Sequence, residues 1–141
     1  MIQVLHAVFY TVLAFLVLTG GGNWACRRLF SWTGLKAPEG AAGDGTDDDP
    51  RAGRVIGSLE RVVIATGIVT HSWEVLAAVI ALKTVARFKE LNDKPFAEYF
   101  LVGSLFSVLW AVVITSAWLG YDHRVGVDIR AGLFAMIGTV P

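Results

Sequence analysis

Five charged residues, Glu60, Arg61, Lys83, Arg87 and Glu98, stand within or against otherwise apolar stretches of the chain. A charge in such a setting must be paired, reach a polar surface, or take part in chemistry. At a helical rise of about 1.5 Å per residue, Glu60 lies about 9 Å into one apolar segment and Lys83 about 7.5 Å from the end of the next. If those segments fold back on one another, the two groups sit at matching depth. The spacing therefore predicts that Glu60 meets Lys83 or Arg87, and that Arg61 snorkels toward headgroups or pairs with Glu90. Such a cluster either fixes the packing of the two helices or forms part of a proton or ion pathway.

The remaining reactive residues carry weaker signals. His6 falls in the first two turns of an apolar segment, where an imidazole sits at an interface or relays a proton. Cys26 is the only cysteine, so it can form no internal disulfide and has no metal-site spacing. The run Asp44, Asp47, Asp48 and Asp49 lacks the spacing and closing Glu of a calcium loop. His71, Glu74, Asp122 and His123 fall on one side of the membrane without a recognisable ligand pattern. Gly20-Gly21-Gly22 is no phosphate loop, because the following Gly-Lys-Ser/Thr is missing and no strand precedes it. No Ser/His pair, paired Asp or His-rich motif lies at one depth. We therefore expect no catalytic residue, no cofactor and no metal.

The elements that must position these residues are helices. The chain has 141 residues, 55% hydrophobic and 17% charged, with a mean hydropathy of +0.58. That balance points to an all-α, polytopic integral membrane bundle rather than a soluble domain. Twelve basic and twelve acidic residues cancel, so overall charge gives no reason to expect nucleic acid as a partner. Four membrane helices are expected within one membrane domain, at about residues 2–19, 54–70, 73–88 and 97–120. The glycine triplet should end or kink the first, since each glycine costs about 1 kcal/mol relative to alanine. Residues 36–52, rich in Gly, Ala, Pro and Asp, read as a flexible acidic loop. Pro95 suits the first turn of the last span, and Glu98 is expected there too, near the positive end of the helix dipole. The tail, 121–141, begins polar and ends in about ten weakly apolar residues, too few to span, and is expected to lie on the outer surface or dock on the bundle.

The order of charge sets the topology. Arg27, Arg28, Lys36, Arg51 and Arg54 precede the central stretch, and Arg87, Lys89 and Lys94 follow it. A continuous helix over residues 53–88 would be about 54 Å long and would separate the two basic groups across the membrane. A short hairpin bent at Thr70-His71-Ser72 returns both to the cytoplasm. Loops 20–53 and 89–96 are then cytoplasmic and both termini lie outside. Small residues mark the expected packing faces: Gly53 with Gly57, Ala77 with Ala81, and the stripe Gly103, Ser107, Ala111 and Thr115.

Three blocks carry a resemblance: Gly53-Arg54-Val55-Ile56-Gly57-Ser58-Leu59-Glu60-Arg61, Lys83-Thr84-Val85-Ala86-Arg87-Phe88, and Ala97-Glu98-Tyr99-Phe100-Leu101-Val102-Gly103-Ser104-Leu105. In order and spacing they resemble an uncharacterised family of small bacterial membrane proteins, also found as the membrane-embedded carboxy-terminal part of longer chains. The resemblance covers roughly residues 1–120. It implies a multi-pass protein of the bacterial inner membrane whose charged cytoplasmic rim, Glu60, Arg61, Lys83, Arg87 and Glu98, is the common feature. It implies no activity. The expected role is a non-enzymatic scaffold, sensor or complex partner, embedded in the lipid bilayer and assembling as a homo-oligomer or in a larger membrane complex. The alternative is a subunit of an oligomeric small transporter or ion channel.

Overall fold

The computed structural model describes residues 1–36 and 50–138, and all regular structure among them is helical. The expected loop at 36–52, with its aspartate run, falls largely outside the described residues. Helix α1 (Ile2–Leu16) passes through a π turn (Val17–Gly21) into α2 (Gly22–Thr33). Together they form one apolar helix, Ile2–Thr33, of 32 residues. The glycine triplet thus does not end this helix, and the irregularity that falls on it is the π turn, which includes Gly20 and Gly21. The triplet's propensity cost is offset by close packing: a Cβ on Gly22 would lie 2.7 Å from Arg61 Nε, and one on Gly21 would lie 3.4 Å from Trp110. Termination comes instead at Gly34, in the left-handed region at φ 70°, the usual glycine stop.

Helix α3 (Pro50–Val69) and α4 (Trp73–Ala86) form the central hairpin. The chain reverses at Thr70-His71-Ser72, where His71 takes φ 57° and the Ser72 N–H returns to the Gly67 carbonyl at 2.8 Å. Gly67 admits the second arm: an added Cβ would lie 2.8 Å from Val75 Cβ. A short 3₁₀ turn (Glu90–Asn92) leads to α5 (Lys94–Arg124), with Pro95 in its first turn. That helix is longer than the expected 97–120 at both ends, which moves Glu98 into the second turn. The tail holds α6 (Ile129–Ile137), started by Asp128, whose carboxylate accepts the Ala131 N–H at 3.3 Å.

Ile2–Thr33 and Lys94–Arg124 are the two helices among the described residues long and apolar enough to cross a membrane. At 14 residues α4 is about 21 Å long, short of a hydrocarbon core of roughly 30 Å.

The pairings Tyr10–Asp122, Thr11–Trp118, Val17–Trp110 and Phe30–Tyr99 run in opposite senses along the two long helices, so these are antiparallel. The core between them and α3 is Leu18, Ile64, Ile68 and Ala111. Ser107, Ala111 and Thr115 of the small-residue stripe are buried there, and Gly103 meets the Phe30 ring. Two other expected packing faces are corrected. Gly53, in the first turn of α3, has nothing within 4 Å of an added Cβ, while Gly57 is half-buried and an added Cβ there would lie 3.9 Å from Asn23 Oδ1 of α2, an ordinary contact distance. Ala77 and Ala81 are exposed, because α4 turns Val75, Leu76, Val79 and Lys83 toward the bundle.

Candidate functional site

At one end of the hairpin, Lys83 Nζ donates to Glu60 Oε2 at 2.6 Å. The reversal at His71 brings the two residues, 23 apart in sequence, to one level on facing helices. Both are partly buried, and the ammonium also lies 5.7 Å from the centre of the Phe100 ring. The other charges of the expected cluster do not join them. Arg87 closes α4 and is half-buried, Glu98 is exposed on α5, and neither side chain makes a hydrogen bond or ion pair among the described residues.

Arg61 departs furthest from expectation. It does not snorkel: it is 2% exposed, among the most buried side chains of the described residues. The Glu90 side chain, its other expected partner, lies outside the described set. One residue past Glu60 is about 100° around the helix, so when Glu60 faces α4, Arg61 faces α2 and α5. Nη1 donates to Ser107 Oγ at 3.2 Å, and Nη2 donates to the Thr19 carbonyl at 3.2 Å and to Asn23 Oδ1. Asn23 in turn donates to Ser58 Oγ at 3.1 Å. The three acceptors of Arg61 are neutral oxygens, and its Nε has no partner among the described residues.

The π turn makes this arrangement possible. π turns widen the backbone ladder and are frequent at functional sites. Here two carbonyls of the turn accept from side chains of other helices, Thr19 from Arg61 and Val17 from Trp110 Nε1 at 3.1 Å. Gly21 and Gly22 leave the space both side chains occupy. One irregular turn of the first long helix thereby ties α3 and α5 together.

A second polar group lies at the opposite end. Asp122 is 1% exposed; its carboxylate accepts from the Tyr10 hydroxyl and, at 3.3 Å, from the Arg130 N–H. A single carboxylate thus links α1, α5 and α6. His6 Nε2 lies 3.1 Å from the Tyr121 hydroxyl at the exposed edge of the same group. His71, Glu74, Asp122 and His123, expected together on one side, do not converge: the His71 ring meets the Arg130 guanidinium, and His123 Nδ1 stands 3.7 Å from Asp128 Oδ2.

Sequence reasoning missed Arg61 as a core residue and missed the Tyr10–Asp122 pair. For Arg61 the signal was available in the rotation from Glu60. For Tyr10 it was the depth argument used for Lys83, applied to the first and last helices. Chemically, the groups described form hydrogen bonds between helices, with the hydroxyls of Tyr10 and Tyr121 standing against a carboxylate and an imidazole. No protein-family model, curated protein or solved structure matches the chain.

Proposed function

We propose that this chain is a non-enzymatic multi-pass membrane module, acting as a scaffold, a sensor or a partner in a larger membrane complex. In this reading α3 and α4 cross the bilayer as a short hairpin beside the two long helices, with local thinning around α4. The Glu60–Lys83 end is cytoplasmic and the His71 end is outside. Kinship with the small bacterial membrane proteins suggested by the three sequence blocks, and an inner-membrane location, belong to the same proposal.

One observation carries the preference for a module over a transporter. Between the polar group at Arg61 and the one at Asp122, the axis is filled by Leu18, Ile64, Ile68 and Ala111, and Thr115 is the one buried polar side chain among the described residues of that stretch. From Ser107 to Asp122 is 15 residues of α5, about 22 Å, and a permeating ion needs polar groups or water over such a distance. Arg61 and Asp122 also have their hydrogen bonds directed into helix–helix contacts rather than toward a shared space. The test is reconstitution into liposomes with proton and potassium flux measured alongside oligomeric state. We expect no flux above protein-free vesicles. Flux from a closed oligomer with a wetted axis would overturn this reading in favour of a channel subunit.

A further inference from the structure

Helix α6 has fewer attachments than its composition calls for. Every residue from Ala131 to Met136 is exposed, Leu133, Phe134 and Met136 among them. Its hold on the bundle is concentrated in its first turn, where Asp122 accepts the Arg130 N–H and the Arg130 guanidinium meets the His71 ring. Arg130 is also the only charged residue in Ile129–Ile137. In a nine-residue helix, about 14 Å long, Met136 is almost fully exposed, while Leu133 and Phe134, each 37% exposed, are covered on one side, the Phe134 ring by the Arg130 guanidinium at 5.6 Å. Bulk water is a poor medium for such a helix.

Its position indicates what covers it. Trp73, Tyr121, Val125 and Val127 are exposed at the same end of the bundle, and this belt continues the exposed apolar faces of the two long helices. Aromatic side chains at the ends of apolar helices mark the boundary between acyl chains and headgroups. A protein partner would cover one side of α6. Some exposure is kept at every position from Ala131 to Met136, more than a full turn, and is greatest at Met136, which suits a surrounding medium more than a single contact face.

We propose that α6 is an interfacial helix lying in the headgroup zone of the bilayer, pinned to the bundle through Arg130 and immersed through Leu133, Phe134 and Met136. This rests on the membrane reading above. Too short to span, the helix suits the plane of the interface, where apolar side chains reach the acyl boundary.

Two single-cysteine variants in a Cys26→Ala background separate the possibilities: Met136→Cys on α6 and Leu109→Cys on the exposed face of α5. Each is labelled with an environment-sensitive fluorophore and reconstituted in phosphatidylcholine and phosphatidylglycerol vesicles. Lipids brominated near the headgroup should quench the label at 136 about twofold, and more than lipids brominated near the chain ends. The order should reverse for the label at 109. Quenching at 136 by aqueous iodide without response to either lipid overturns the proposal, as does self-quenching at 136 that disappears on dilution with unlabelled protein. A label at 109 that no brominated lipid reaches would instead remove the membrane reading itself.

Discussion

Replacing Gly22 by alanine should destabilise the bundle although alanine is the better helix former. The new Cβ would lie 2.7 Å from Arg61 Nε, 2.8 Å from Arg61 Cζ and 3.0 Å from Trp110 Cδ1. The guanidinium cannot simply swing away, because Thr19, Asn23 and Ser107 hold it. Helix propensity gains about 1 kcal/mol. Overpacking costs about 1–3 kcal/mol, and losing one hydrogen bond from a charged group costs about 1.5–3 kcal/mol more. The net loss is roughly 1.5–5 kcal/mol. Gly20→Ala is the matched control: nothing lies within 4 Å of its added Cβ, so the change should be neutral or gain up to about 1 kcal/mol. Unfolding by sodium dodecyl sulfate titration in mixed micelles, followed by tryptophan fluorescence, reads both. If the two alanines shift the midpoint in the same direction, the account of the glycine triplet as a packing site for Arg61 is wrong.

Two further outcomes follow from the ends of the bundle. Glu60→Gln and Lys83→Gln should each destabilise, and the double variant should recover about 1 kcal/mol relative to the sum of the single losses; additive losses would mean the groups do not interact in the folded protein. Tyr10→Phe and Asp122→Asn should each cost about 1.5–3 kcal/mol, the first by removing the hydroxyl and the second by setting a donor NH2 against one of the two donors the carboxylate accepts, and the double variant should cost less than the sum because the Tyr10–Asp122 bond is common to both. Only Asp122→Asn should also loosen α6, seen as faster protease cleavage between residues 125 and 138.

Much of this architecture could be read from the residue order. The reversal at His71 was legible because a polar break without Lys or Arg divides two apolar stretches whose far ends are basic. The meeting of Glu60 with Lys83 followed from depth alone, since two antiparallel helices of similar length place equal offsets side by side. Ser107, Ala111 and Thr115 share a face at four-residue spacing, and that spacing was visible. The glycine triplet misled because propensity counts only the cost borne by the helix itself. What offsets it comes from Arg61 and Trp110, residues 39 and 88 positions beyond Gly22. Arg61 was misplaced for a related reason: an arginine in an apolar helix ordinarily reaches outward, and although its rotation from Glu60 turns it away from α4, what receives it is a neighbouring helix with a wide turn and no Cβ at Gly22. Tyr10 and Asp122 are 112 residues apart, and no local pattern joins them.

The wide turn at Val17–Gly21 also fixes the rotation of everything after it. Relative to a regular ladder it accommodates an extra residue, so closing this turn into a regular ladder without losing that residue would turn the second half of the helix by about 100° against the first. Tyr10 would keep its place beside Asp122 while Asn23 swung off the guanidinium it serves. The first long helix is therefore phased twice, once for each neighbour it must satisfy, and a single codon's worth of backbone holds the two phases in agreement.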